Sequence, residues 1–198
     1  MAQSDLKSRL QKALARPGRP STDFDLNKDL AVPVGRTLRA AGVLIAVSPV
    51  AETMFLTMRS AALKHHPGQI AFPGGKQDAG DPTTVDAALR EAEEEIGLPR
   101  EQVEVLGTMP GHETVTGFMM TPVIGLIRGD FTPVPEAGEV AEVFQVPLAH
   151  VTDPARFSIQ ARRWQGQMRH YYTVPLGPYY IWGATGRILR AFADRMQP

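Results

Sequence analysis

The sequence predicts an α/β fold in which helices pack on the faces of a mixed β-sheet. Apolar segments of strand length occur both before and after a central helical segment, and a second amphipathic segment lies near the end of the chain. Glycine (18) and proline (17) are frequent among the 198 residues, which indicates many turns and argues against a plain helical bundle. A chain of this length suits one domain.

The predicted elements can be followed along the chain. The first is a short amphipathic helix with apolar residues at helical spacing: Leu6, Leu10, Ala13 and Leu14. Segments with strand character follow at residues 42–50, 53–59, 103–109, 120–128, 143–148, 156–160 and 168–174. Further helices are expected at 82–96 and 185–196. We assign residues 1–35 to an N-terminal appendage of helix and loop, and residues 36–198 to the main domain.

Charge and composition exclude several classes of function. Lys plus Arg (21) balance Asp plus Glu (21), so whole-chain attraction to nucleic acid or to an anionic membrane is not expected. The sequence contains no cysteine, which rules out disulfides, thiolate metal sites and a cysteine nucleophile. No segment is apolar over the length of a membrane span. Since a chain without cysteine fits a reducing compartment, we expect a cytoplasmic protein.

The central helix has clear boundary signals. Asp81 is expected to be its N-cap, because Pro82 follows at the first helical position. Gly97 is a natural end. Between them one face is apolar, with Val85, Ala88, Leu89, Ala92 and Ile96.

Three carboxylates, Glu91, Glu94 and Glu95, are adjacent on this helix because they are three or four residues apart. Their repulsion costs about 0.2–0.5 kcal/mol per pair, and the helix dipole disfavours anions in the last turns. A solvated helix face is the alternative interpretation. Positions that break local stability rules are typical of functional sites, and a divalent cation such as Mg²⁺ or Mn²⁺ would relieve the repulsion.

The loop before this helix, residues 72–76, has the sequence FPGGK. Its glycines permit close approach of the backbone to a ligand. It is not a P-loop, because no Gly-Lys-Ser/Thr follows at the required spacing.

Residues 90–98, REAEEEIGL, resemble the second half of the Nudix box, G-x5-E-x7-R-E-U-x-E-E-x-G-U, in which U is a bulky apolar residue. Gly75 matches the first glycine of the box, and Ala92 is a small residue at the first U. Asp81 stands where the box has glutamate, and eight residues instead of seven separate it from Arg90.

Residues 55–75, FLTMRSAALKHHPGQIAFPGG, are similar to the motif of the coenzyme A pyrophosphatase branch of this family, L-L-T-x-R-S-x3-R-x3-G-x3-F-P-G-G. Phe55 replaces the first leucine. Lys64 replaces the second arginine, which loses the bidentate guanidinium but keeps the positive charge. Residues 139–148 and 181–189 also resemble this branch.

The resemblance implies an α/β/α sandwich around a mixed β-sheet. It also implies metal-dependent hydrolysis of coenzyme A and its derivatives to 3′,5′-ADP and 4′-phosphopantetheine. The implied ligands of Mg²⁺ or Mn²⁺ are Glu91, Glu94, Glu95 and the carbonyl of Gly75, with Arg90 orienting a carboxylate. For the general base, a metal-bound glutamate and a glutamate of the loop 135–143 are the alternatives, and we favour Glu139.

The resemblance also implies where the substrate binds. Its phosphates, including the 3′-phosphate, are expected at basic and glycine residues of one region: Arg59, Lys64, Gly68, Gly74, Gly75 and Lys76. For His65 and His66, a solvated basic loop is an equally good interpretation. The expected partner is a small molecule, not nucleic acid or membrane. The oligomeric state stays open, a homodimer being one option.

Three alternatives remain. The first is a Nudix hydrolase of another substrate, such as NADH, ADP-ribose or a dinucleoside polyphosphate. The second is a nucleotide-sensing module without hydrolysis, against which the intact Glu91, Glu94 and Glu95 argue. The third is RNA binding through interleaved basic and aromatic residues: Arg162, Arg163, Trp164, Arg169, His170, Tyr171 and Tyr172.

Overall fold

A computed structural model describes residues 2–30, 32, 35–164 and 166–197, and confirms the α/β fold class. Residues 1, 31, 33 and 34 of the predicted appendage, and 165 and 198 of the predicted domain, lie outside the described residues. The described helices are α1 (Ala2–Ala15), α2 (Thr84–Ile96), α3 (Leu148–Val151) and α4 (Gly183–Met196). None of them has the length and apolar character needed to span a bilayer.

A mixed sheet forms the centre of the molecule. Its strands are β1 (Ser21–Thr22), β2 (Arg39–Ser48), β3 (Thr53–Arg59), β4 (Ile70–Ala71), β5 (Gly74–Lys76), β6 (Val103–Thr108), β7 (His112–Glu113), β8 (Phe118–Ile127) and β9 (Val140–Pro147). The main order is β1-β7-β8-β2-β3-β4, and β5, β6 and β9 pair with β2, β8 and β3. Strand β2 is parallel to β8 but antiparallel to β3 and β5.

Helices cover both faces of this sheet. Side chains alternate between the faces along a strand, so Val43 and Ile45 of β2 lie in one core, and Leu44 and Ala46 in the other. The first core contains residues of α1, α3 and α4, whereas the second contains Ala88, Ala92 and Ile96 of α2. The architecture is therefore the expected sandwich, with α2 alone on its own side among these four helices.

The boundaries of α2 differ from the prediction at one end. Thr83, not Asp81, is the N-cap: its hydroxyl accepts from Asp86 N, and the Asp86 carboxylate accepts from Thr83 N in a capping box. The predicted N-cap was wrong because the carboxylate of Asp81 binds Arg90 instead. The C-terminal end is confirmed, with Gly97 left-handed at φ 69°.

Gly42 fixes how closely α2 approaches the sheet. A methyl group at Gly42 would lie 1.9 Å from Thr84 O and 2.9 Å from Ala88 N. Only glycine lets the first turn of α2 rest directly on β2. This contact therefore sets the distance between the sheet and the carboxylates farther along α2.

The N-terminal segment packs against the rest of the described chain. Leu6 and Leu10 of α1 are fully buried in the core that α4 also borders. Strand β1 pairs in parallel with β7, and buried His112 lies between Ser21 Oγ (3.0 Å) and Asp23 Oδ1 (3.2 Å). The division of the chain at residue 36 stays a prediction.

Candidate active site

The glycines of β5 make room for two carboxylates of α2. Gly74 has φ 151°, and a methyl group there would lie 2.4 Å from Gly42 O, so no other residue fits. The Gly74 N–H donates to Glu95 Oε2 at 3.0 Å. A methyl group on Gly75 would lie 2.5 Å from the carboxyl carbon of Glu91. The two glycines thus hold β5 directly against Glu91 and Glu95.

Both carboxylates are held away from water. Glu95 is only 3% exposed, and burial raises its pKa to about 7. The Gly74 N–H and the charge of Arg59 oppose this pKa shift, whereas the negative charges of Glu91 and Glu139 add to it. Burial also raises the pKa of Glu91, against the effect of the adjacent Arg90. Burial thus disfavours the charged form of both carboxylates, in spite of the nearby arginines.

Arg90 organises the acidic side chains on the solvent side of α2. Its Nε and Nη2 each donate to a carboxylate oxygen of Asp81 at 3.0 Å. Its Nη1 donates to Glu94 Oε2 at 2.9 Å, and Nη2 is 3.0 Å from Glu91 Oε1. Nη2 also donates to the carbonyl of Lys76 at 3.2 Å. One guanidinium thus ties α2 to the end of β5.

These residues partly fit a divalent metal. Buried Glu95 and half-buried Glu91, whose charged forms burial disfavours, suit a hard cation with oxygen ligands. The carboxylate of Glu94 is bound to Arg90, and its side chain is 58% exposed. Within the described ranges no three acidic or histidine side chains converge as a complete ligand set. Glu94 and the carbonyl of Gly75 therefore stay predicted ligands, whereas Glu91 and Glu95 are already together.

Arg59 lies where β3 ends, beside the buried carboxylates. Its Nη1 is 3.8 Å from Glu95 Oε1. Its backbone N–H donates to Gln69 O at 3.0 Å, and its carbonyl accepts from Gly68 N at 3.1 Å. Gly68 has φ 69°, which closes the loop 60–68 into a turn that glycine favours. The loop thus begins and ends at Arg59, next to Glu95.

The two predicted lysines lie farther out. Lys64 is exposed within the loop 60–68. Lys76 is also exposed, with its Nζ 3.2 Å from Asp78 Oδ1. Their proposed contacts with substrate phosphates stay predictions.

The loop that precedes β9 docks on the C-terminal end of α2. Val134 N and Glu136 N donate to the carbonyls of Ile96 and Glu95 at 2.9 and 3.0 Å, which satisfies two end groups of the helix. The Glu136 carboxylate accepts from Glu139 N at 2.7 Å and so holds the turn. The Glu139 side chain is exposed, and its charge raises the pKa values of Glu91 and Glu95. The structure thus brings Glu139 within electrostatic reach of both.

Sequence reasoning missed two supporting acids. Asp78 N donates to Asp81 Oδ2 at 2.9 Å, and Asp78 Oδ2 is 3.8 Å from Arg90 Nη2. Glu136 lies in the loop 135–143 that was expected to supply a base, but its carboxylate instead accepts from the backbone and shapes the turn before Glu139. The aspartates around Gly80 were a readable turn signal, but their pairing with Arg90 was not.

A family model and the similar proteins of known sequence indicate the same family. The sequence model of the NUDIX domain matches residues 37–165. The uncharacterized Nudix hydrolase NudL of Citrobacter koseri is 41% identical over 170 residues, covering 80% of this chain and 84% of the relative. NudL of Escherichia coli O7:K1 is 38% identical over 156 residues, covering 78% and 81%. The crystal structure of a MutT protein from Methanosarcina mazei Go1 has a TM-score of 0.52 at 15% identity, covering 83% and 96%, which is a likeness of fold.

Proposed function

Because the chain belongs to the Nudix family and is a hydrolase of a pyrophosphate-containing substrate, we propose that this substrate is coenzyme A or one of its derivatives. Hydrolysis of the pyrophosphate bond gives 3′,5′-ADP and 4′-phosphopantetheine. The enzyme acts in the cytoplasm on a small molecule.

One observation carries the proposal. Arg59 belongs to the segment 55–75 that is similar to the coenzyme A motif, and its guanidinium is 3.8 Å from Glu95, a carboxylate of the Nudix helix. The two motifs therefore meet in one site. An arginine beside a buried acid of the Nudix helix suits a ligand that carries a pyrophosphate.

Different residues of the site have different proposed roles. Glu91 and Glu95 would hold Mg²⁺ or Mn²⁺, joined by Glu94 and the Gly75 carbonyl. Such an ion, when bound, would neutralise charge on the pyrophosphate and make a bound water molecule more acidic. Arg90 fixes the orientation of Glu91 through contacts with Asp81 and the Lys76 carbonyl.

Glu139 is the proposed general base. Its side chain is exposed beside the two buried carboxylates, and its carbonyl accepts from Ser60 N at 2.7 Å. Glu139 is thereby anchored next to Arg59. A free carboxylate in this place can accept a proton from an attacking water molecule.

Product analysis tests the proposal. Coenzyme A, NADH, ADP-ribose and a dinucleoside polyphosphate are incubated separately with the enzyme and Mg²⁺ or Mn²⁺, and products are identified by mass spectrometry. We expect the highest kcat/KM with coenzyme A and release of 3′,5′-ADP. Preferred turnover of another substrate rejects coenzyme A but keeps the hydrolase assignment. Glu95→Gln is the control for contaminating activity.

A further inference from the structure

A second sheet extends from the molecule beside the loop 60–68. It consists of β10 (Ser158–Trp164) and β11 (Gln167–Thr173), which form an antiparallel hairpin where strands were predicted at 156–160 and 168–174. All but one of the residues of β10 are exposed. Because side chains alternate across a hairpin, Arg162 and Tyr171 lie on one face, and Arg163 and Tyr172 on the other. The second face meets α4, where Arg187 and Arg190 lie over the Tyr172 ring.

On the first face, an arginine and two aromatic rings form a compact group. The Arg162 guanidinium lies 4.2 Å from the centroid of the Trp182 ring. The ring of Tyr171 is 5.1 Å from that of Trp182, tilted by 59°. Tyr171 and Trp182 are half-buried, and Arg162 is exposed. We call Arg162, Tyr171 and Trp182 the hairpin cluster.

The hairpin cluster adjoins the loop that carries Arg59. Gly183 follows Trp182, and a methyl group there would lie 3.3 Å from Gln69 Nε2. Thr185 Oγ1 donates to Ile70 O at 3.0 Å, which fixes the start of α4 against β4. The Gln69 carbonyl in turn accepts from Arg59 N. The segment that follows Trp182 therefore packs beside Gln69 and Ile70, and Gln69 is bonded to the end of β3 at the candidate active site.

The hairpin cluster and the end of β3 each place an arginine near the loop 60–68. Within the parts of the chain that the structure describes, no carboxylate lies within ion-pair distance of Arg162. Partial desolvation of His66 in the loop lowers the pKa of its imidazole, and the charges of Arg59 and Arg162 lower it further. Arg59 and Arg162 are therefore both within electrostatic reach of His66 in the loop 60–68, and Arg59 is 3.8 Å from Glu95.

We propose that the hairpin cluster binds the nucleoside end of the substrate, an adenine base that carries a phosphate. The adenine stacks on Trp182 and displaces the guanidinium of Arg162, which then pairs with the phosphate. Stacking of a base on an aromatic ring is stronger than an exposed cation–π contact, so the exchange is favourable. This inference rests on the proposed function, since it places the 3′,5′-ADP portion of coenzyme A here. It assigns the 3′-phosphate to Arg162, in place of the Arg59 and Lys64 that the resemblance implied, and leaves Arg59 to the pyrophosphate.

The chain allows a direct spectroscopic test because it has two tryptophans, Trp164 and Trp182. In Trp164→Phe, Trp182 is the sole source of indole fluorescence. In Trp182→Phe, Trp164 remains as the control, on the same hairpin and stacked by Arg169 at 4.5 Å. Each full-length variant is titrated with 3′,5′-ADP and, separately, with 4′-phosphopantetheine.

We expect 3′,5′-ADP to change the emission of Trp164→Phe with saturation, whereas the emission of Trp182→Phe stays constant. 4′-Phosphopantetheine should leave both unchanged. An equal change in the two variants, or none in Trp164→Phe, overturns the proposal. A change in Trp164→Phe on addition of 4′-phosphopantetheine alone overturns it as well.

A matched pair of arginines provides the second measurement. Arg162→Gln should weaken binding of 3′,5′-ADP about tenfold, the loss of a charge-assisted contact. Arg163→Gln removes the same charge from the next residue, on the other face, and should bind like the wild type. Equal binding by both variants, or equal loss, rejects the role of Arg162.

Turnover of coenzyme A is measured independently in the wild type. If 3′,5′-ADP binds at Trp182 while coenzyme A is not hydrolysed, the proposed function fails and the nucleotide site stands. If coenzyme A is hydrolysed without any fluorescence change from Trp182, only the hairpin site fails.

Discussion

Arg90 and Asp81 form a bidentate ion pair, in which Nε and Nη2 of the guanidinium each donate to one carboxylate oxygen at 3.0 Å. Asp81 replaces the glutamate of the Nudix box and lies one residue farther from Arg90 than the box specifies. The structure uses Asp81 to hold Arg90, and hydrogen bonding from Arg90 keeps the pKa of Asp81 well below its usual range. Asp81 thereby orients the acids of α2 through Arg90.

Replacing Asp81 tests this orienting role. We expect Asp81→Asn to lower kcat/KM about 10- to 100-fold, as loss of an outer partner of a metal site typically does, and to lower the melting temperature. Asp78→Asn is the matched control, since Asp78 is exposed and 3.8 Å from Arg90. Steady-state kinetics and thermal unfolding measure both. Wild-type kinetics for Asp81→Asn would show that Glu91 and Glu94 suffice to hold Arg90.

Removing the charge of Glu95 tests the metal site. Glu95→Gln keeps the shape of the side chain, and its amide oxygen can still accept from Gly74 N. We expect kcat to fall about a hundredfold or more, because a metal ligand supplies several kcal/mol of charge stabilisation, while the fold persists. Glu93→Gln is the control, as Glu93 is exposed and 3.9 Å from Arg100. Comparable kcat for the two variants at saturating Mg²⁺ would remove Glu95 from the ligand set.

The raised pKa of Glu95 predicts a specific pH dependence of stability. The pKa is about 7 in the folded chain and ordinarily 4.5, so between these values the folded state binds more protons than the unfolded state. The stabilising contribution is complete below about pH 4.5 and is lost as pH rises through about 7. It amounts to roughly 3 kcal/mol at most.

Urea unfolding in a chelator measures this dependence. The free energy of unfolding of Glu95→Gln, minus that of the wild type, should rise between about pH 5 and pH 8. Added Mg²⁺ at the higher pH should stabilise the wild type more than the variant, because the ion binds the folded state. Parallel pH profiles of the two proteins would contradict the assignment of the raised pKa to Glu95.

Local signals explain why much of the fold was predictable. The strand at 53–59 and the end of α2 at Gly97 follow from alternation and glycine chemistry within a few residues. The start of α2 could not be predicted in this way. The choice between Asp81 and Thr83 as N-cap depends on a tertiary contact, in which Arg90 of the helix binds Asp81. Propensity does not include such a tertiary contact.

In the candidate active site too, some residues could be predicted from local spacing and others only from tertiary contacts. Glu91 and Glu95 could be grouped from helical spacing, since they are four residues apart on α2. The contact of Arg59 with Glu95 joins β3 to α2 across the sheet, and only the resemblance of the segment 55–75 pointed to it. The close packing of α2 against Gly42 was also not predicted. A glycine inside an apolar strand can also mark a bulge or a bend, so its presence alone does not indicate a helix contact.

The packing of β5 predicts that Gly74 cannot be replaced. In Gly74→Ala the new methyl group would lie 2.4 Å from Gly42 O at φ 151°, and we expect a loss of about 3 kcal/mol or more in unfolding free energy. Gly80→Ala is the control: nothing lies within 4 Å of its methyl position, so its effect should stay within about 1 kcal/mol. Urea midpoints compare the two. Equal midpoints would mean that β5 can shift away from β2.

Glu139 is predicted to serve as the general base, and its neighbours provide a control for charge. Glu139→Gln should lower kcat about 100- to 10,000-fold, the usual contribution of a positioned base, with little change in KM. Glu142→Gln removes the same charge from a nearby side chain that binds the Tyr179 hydroxyl instead, and should retain most of its kcat. The pH–rate profile separates the two roles. Loss of the acidic limb in Glu139→Gln, with Glu142→Gln unchanged, supports a base, because the substituted amide cannot titrate. If both variants lose activity equally and keep the wild-type profile, the negative charge of the loop matters and the base lies among the carboxylates of α2.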